Sequence, residues 1–156
     1  MTEQVTPLLS QLLTSWISGE ESEEFPLANL SNAAAILFEN LADVNWAGFY
    51  LYNQTKDELI LGPFLGKAAV VRIKPGSGVV GQGYESQESI IVADVHQHPG
   101  HIACDSASNA EIVIPLTRAN GEKLGVIDID SPHTNRFTDQ DKADLEHFAQ
   151  TLLAYI

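Results

Sequence analysis

One residue in this chain can act as a soft nucleophile. Cys104 is the single cysteine among 156 residues, and it stands in the run His101-Ile102-Ala103-Cys104-Asp105-Ser106. A lone cysteine excludes an internal disulfide. Its plain structural reading is a small buried hydrophobe. The polar, Gly/Ser/Asp/His-rich surroundings argue instead for access, and a reactive thiol needs access together with thiolate character. A protonated His101 favours the thiolate; Asp105 opposes it. His96, His98, His101, Cys104 and Asp105 also raise zinc, which takes His and Cys ligands. Their H-x-H-x-x-H-x-x-C spacing matches no metal motif with a mechanism, and hydrogen-bonded loop side chains account for it as well.

Carboxylates form the second set. Asp128 and Asp130 lie two apart in Val-Ile-Asp-Ile-Asp, so on a strand both point to one face while Ile127 and Ile129 point to the other. Carboxylates held close repel unless they share a proton or bind a cation. A solvated strand end is the plainer account of the spacing alone. Glu111 opens the strand that follows the cysteine loop, and that strand is hairpinned to the one carrying Asp128 and Asp130. Cys104, Glu111, Asp128 and Asp130 can therefore line one cavity. Trp46 and Tyr50, four apart on an earlier strand, share a face. They read either as aromatic core or as the wall of a small-molecule pocket.

The elements that must position these residues follow from periodicity. Leu8, Leu9, Leu12, Leu13, Trp16 and Ile17 recur at helical spacing over 7–18, and Pro7 suits a first turn. The run Gly19 to Glu24 is an acidic connection. Residues 27–41 predict a second helix, with Leu30, Ala33, Ala34, Leu37 and Leu41 on one stripe. Trp46 to Tyr52 is aromatic and β-prone. Asn53 to Asp57 turns it back through Leu59 to Phe64. Ala69 to Ile73 predicts another strand, broken at Lys74 to Gly78. A short helix over 79–85 and a short strand at Ser89 to Ala93 follow. Residues 94–110 are long, polar and weakly periodic, a length that in compact domains usually signals function. Strands resume at Glu111 to Thr117 and Lys123 to Asp130, joined by a turn with Asn-Gly at its centre. Thr138 and Asp141 approximate a capping box for a last helix striped with Leu145, Phe148, Ala149, Leu152 and Ile156. The expected fold is a single α+β domain over 1–156, with helices gathered on one face of an antiparallel sheet and a pocket on the other.

Composition narrows the partners. Hydrophobic residues make up 44%, enough to fill a core and exclude disorder. Eight Lys and Arg against 21 Asp and Glu give −13, a surface that repels phosphate backbones and anionic lipid. Neither nucleic acid nor membrane is expected as a partner. No apolar run approaches a span of ~20 residues, and the start of the chain lacks the basic region of a signal peptide. A cytoplasmic location is the expectation. The apolar terminal helices can pack on the sheet or join two copies into a homodimer.

Taken together, the runs NWAGFYLY, LGPFLGK, VRIKPGSGVVG, PGHIACDSASNAEIVIPL and GVIDIDS resemble the free methionine-R-sulfoxide reductases, enzymes built on a GAF domain. The resemblance extends from about Leu30 to the C-terminus. It implies a GAF-like antiparallel sheet of about six strands and a closed pocket for free methionine (R)-sulfoxide. It also implies catalytic Cys104, ligand-binding carboxylates Glu111, Asp128 and Asp130, and an aromatic wall of Trp46 and Tyr50, with Asp130 or Glu111 as the acid. Two family cysteines, in A-C-x-R-I and G-V-C-G, are replaced by Val70 and Val80. An oxidised Cys104 would then need an external reductant, a small thiol or a thioredoxin-like protein, with no bound cofactor. The competing expectation is a GAF module that binds an amino acid without chemistry.

Overall fold

The computed structural model describes residues 5–17, 26–100 and 107–156. The expected nucleophile Cys104, its neighbours His101 and Asp105, and the acidic connection Gly19 to Glu24 lie outside the described residues. In chain order the elements are α1 (Leu8–Ile17), α2 (Pro26–Asn40), β1 (Trp46–Asn53), β2 (Glu58–Leu65), β3 (Arg72–Ile73), α3 (Gly78–Ser86), β4 (Ile90–Val92), β5 (Ala110–Thr117), β6 (Lys123–Ser131) and α4 (Asp139–Leu153), with a 3₁₀ turn at Val95–Gln97. The strands form one antiparallel sheet in the order β3-β2-β1-β6-β5-β4.

Strand alternation divides the interior into two layers. Ala47 and Phe49 of β1, Ile112, Ile114 and Leu116 of β5, and Ile127 and Ile129 of β6 face α1, α2 and α4, where Leu13, Ile17, Leu37, Phe148 and Leu152 meet them. The residues between them point the other way. Trp46, Tyr50, Val113 and Val126 join Leu59, Ile73 and the α3 residues Val79, Val80 and Tyr84 in a second cluster. Three helices thus cover one face as the stripes predict, and the short helix α3 packs on the opposite one. Glycine makes that approach possible: a Cβ on Gly83 would stand 2.6 Å from Val113 Cγ1.

Two elements differ from the sequence expectation. The strand predicted over Ala69 to Ile73 shrinks to Arg72–Ile73. The Val70 carbonyl accepts from the Tyr50 hydroxyl (2.8 Å) rather than from a neighbouring strand, and the ladder resumes only where Leu61 N–H donates to Val71 O. The last helix stops at Leu153, where Arg118 donates to the Leu153 and Ile156 carbonyls at 2.9 and 2.6 Å. Its other end carries the full capping box, Thr138 and Asp141 each satisfying the other's backbone N–H.

Candidate active site

The second face of the sheet carries the chemistry because β1, β6 and β5 lie side by side in register. Trp46 is opposite Asp130, and Asp130 is opposite Glu111. One step along, Gly48 is opposite Asp128, and Asp128 is opposite Val113. The next row is apolar, Tyr50 opposite Val126. The five residues expected from the sequence on these strands therefore share one face, the three carboxyls and Trp46 in two adjacent rows and Tyr50 in the next. Exposure decides their character: Trp46, Tyr50, Glu111 and Asp128 are 2%, 1%, 5% and 5% exposed, so Asp128 is not the solvated strand end that its spacing from Asp130 alone favours. Asp130 is half-buried.

The three carboxyl groups place oxygen atoms within 4.8 Å of one another. Like charges directly opposite across strands destabilise a sheet, and burial sharpens the repulsion. Removal from water, followed by the charge of Asp130, pushes the Glu111 carboxyl up to about 8. Removal from water, followed by the charge of Glu111, holds Asp128 well above the usual carboxylate range. The hydrogen bond shared by Asp128 and Glu111 raises Asp128 and lowers Glu111, while the one shared with Asp130 raises Glu111. Asp128 Oδ1 is buried with no hydrogen-bond partner among the described residues. A buried acceptor of this kind costs ~1–3 kcal/mol unless something fills it.

The aromatic side of the site is also fixed by hydrogen bonds. The Trp46 indole N–H donates to Lys67 O at 3.0 Å, and Tyr50 donates to Val70 O. Both anchors lie in the segment between β2 and β3. Phe64, which sequence reasoning did not single out, stacks on Trp46 with ring centroids 5.1 Å apart and planes at 14°. Its signal was present in the LGPFLGK run, but nothing in the residue types marked it as part of the site.

The approaches to the cysteine segment are tied down on both sides. His98 Nε2 lies 2.8 Å from Gln82 Oε1 on α3, and His96 Nε2 lies 3.0 Å from Asn109 Oδ1. Both imidazoles are thus engaged by side-chain amides. Asn109 N–H donates to Ser131 O and its side chain to Pro132 O, while Asn45 donates to the buried Ser108 Oγ. Residues 98 and 109 are thereby held against α3 and against β6, where the carboxylates begin. Of the two positions where the resemblance expects further cysteines, Val80 is buried in the second cluster and Val70 is 36% exposed.

The GAF domain family matches residues 28–156. A free methionine-R-sulfoxide reductase of Escherichia coli (strain K12) is 50% identical over 126 residues, spanning 81% of this chain and 74% of that protein. One of Saccharomyces cerevisiae is 42% identical over 150 residues, spanning 93% and 83% respectively. The solved structure of fRMsr of Staphylococcus aureus in complex with substrate has 43% sequence identity to this chain and superimposes on it with a TM-score of 0.86, covering 99% of each chain.

Proposed function

The chain belongs to the GAF domain family, and we propose that within it this protein is a free methionine-R-sulfoxide reductase working through Cys104. The observation that carries the reading is the pair of register rows that set Trp46, Asp130 and Glu111, with Asp128, on one buried face. A sulfoxide sulfur becomes electrophilic when its oxygen is protonated or hydrogen-bonded. Glu111 suits that role, because a carboxyl with a pKa near 8 keeps its proton at neutral pH. Asp130, which accepts from Glu111, serves the substrate's α-ammonium and favours a free amino acid over a peptide. Trp46 packs against the S-methyl group.

The chemistry balances within these groups. The Cys104 thiolate attacks the substrate sulfur and forms a sulfur–sulfur bond as the oxygen takes the Glu111 proton; that bond and the substrate S–O bond then break as the oxygen passes to Cys104, leaving a sulfenic acid. Methionine leaves, reduced by two electrons, and the thiol is oxidised by two. An external thiol then condenses with the sulfenic acid, releasing water and leaving a mixed disulfide, and a second thiol frees Cys104. With valine at positions 70 and 80, the supply of both thiols falls to a small thiol or a thioredoxin-like protein.

Purified protein supplied with dithiothreitol and free methionine (R)-sulfoxide yields methionine on this reading, and C104S does not. Binding of the sulfoxide without turnover under any reductant refutes it in favour of an amino-acid-binding module. Grouping of Glu111, Asp128 and Asp130 beside the segment that carries Cys104 argues against that module, since a sensor needs no thiol.

A further inference from the structure

We propose that Phe64 is a positioning residue for this site, fixing the plane of the Trp46 indole and so setting the length of S-alkyl group that fits. The inference deepens the reading of Trp46 as the wall met by the substrate's S-methyl group and rests on it. The indole is restrained from several directions. Phe64 stacks on it at 5.1 Å, and Tyr50 follows in a nearly parallel plane at 6.1 Å and 22°. The indole N–H is held by Lys67 O. Gly66, at φ +130°, lies so close that a Cβ there would stand 2.5 Å from the indole Cδ1.

The seat for Phe64 is cut by a missing side chain. Gly48 is opposite Phe64 across β1 and β2, beside an irregularity in register, and a Cβ on Gly48 would fall 2.3 Å from Phe64 Cβ. Gly48 is also the residue opposite Asp128. The bare backbone therefore admits the phenyl ring onto the face that carries the carboxylates. Phe64 itself is only half-buried, so little of the core depends on it. With the ring present, the indole has a single orientation. Without it, the N–H bond to Lys67 becomes a hinge on which the indole swings outward, making room for one more methylene. A rigid apolar wall discriminates one methylene by about 10–200-fold, and a wall that swings loses most of that ratio.

The test uses the full chain carrying Trp16→Phe, which removes an exposed tryptophan on α1 and leaves Trp46 as the sole reporter. Trp46 fluorescence is titrated with methionine (R)-sulfoxide and with the corresponding ethionine sulfoxide, and the near-ultraviolet circular dichroism of Trp46 is recorded. The parent should favour methionine sulfoxide by at least about tenfold. Phe64→Ala should lower the ratio to about threefold or less and weaken the Trp46 dichroism; Phe64→Tyr, which keeps the ring, should restore both. Phe64→Leu, which retains bulk without a ring, should behave like the alanine variant and serves if that one does not fold. Leu61→Ala, in the same cluster but with no ring on Trp46, should leave the ratio unchanged. An unchanged ratio in both Phe64→Ala and Phe64→Leu, an equal fall in Leu61→Ala, or binding of neither sulfoxide overturns the proposal. Turnover measured alongside separates the two readings: selective binding without turnover defeats the reductase and leaves the role of Phe64 standing.

Discussion

Replacing Glu111 by Gln should make the protein more stable at high pH and flatten its response to pH. Glu111 rises from an ordinary 4.5 to about 8 in the folded chain. Its protonated form is therefore favoured by folding. That contribution is fully present below pH 4.5 and is lost as pH rises through 8, because the unfolded chain releases the proton first. At ~1.4 kcal/mol per pH unit, less the partial titration at each end, the loss between pH 5 and pH 8 comes to about 3.5 kcal/mol. For a chain of this size that lowers Tm by about 7–14 °C. Asp128 moves in the same direction, so E111Q should reduce the slope and the pair E111Q/D128N should reduce it further. Urea unfolding at pH 5, 6, 7 and 8 measures the difference between parent and variant, in which contributions from the five histidines and from the −13 net charge cancel. A parent-minus-variant difference that stays constant across this range would refute the account of two carboxyls forced to hold protons.

Other outcomes follow from the same geometry. Methionine (R)-sulfoxide at a hundredfold its Kd should stabilise the protein by about 2.7 kcal/mol, raising Tm by about 5–11 °C; a differential scan with and without ligand reads it. In the reductase assay, kcat/KM should fall tenfold per unit above about pH 8, where Glu111 ionises, and E111Q should lose that limb along with most of its rate. Gly48→Ala should cost about 2 kcal/mol or more, because its Cβ would overlap Phe64; a denaturant midpoint equal to the parent's would contradict the packing. Trp46→Phe deletes the donor to Lys67 O and should weaken sulfoxide binding severalfold, read by calorimetry.

The residues on strands were legible because period two is a strict rule. Asp128 and Asp130, two apart, had to share a face, and the Asn-Gly turn had to set their strand beside that of Glu111. Burial was not legible. Spacing favoured a solvated strand end, and only α3 on the same face as the carboxylates shows why Asp128 is sealed. The helix itself could be read from residues 79–85, but its face could not: Gly83 and Val113, the pair that lets it settle, are thirty residues apart. The strand predicted at Ala69 to Ile73 failed for a related reason. β-Branched residues report a preference for extended backbone, yet the chain bends at Val71 and the Val70 carbonyl is claimed by a tyrosine hydroxyl from β1. Phe64 escaped because its place depends on a side chain that Gly48 lacks.

Stability alone gives no account of three acids on one face. Val113 and Val126 occupy the adjoining positions of the same face without cost, and valine at 111 or 128 would bury apolar area where the chain now carries two buried carboxyls and an Asp128 oxygen with no partner among the described residues. Buried charge replaced by well-packed apolar residues is often neutral or stabilising. The acids are thus retained against the interest of the fold. What they offer is a carboxyl, Glu111, that keeps its proton at neutral pH beside two further acids and a buried indole. That combination is of little use to a binding surface and of direct use to a reaction that must protonate an oxygen while a neighbouring sulfur is attacked. The same reasoning separates the two rows: the row with Trp46, Asp130 and Glu111 carries the groups proposed to meet the substrate, and the hydrogen bond with Asp128 behind it pulls Glu111 down, so removal from water and the charge of Asp130 must carry its rise to about 8.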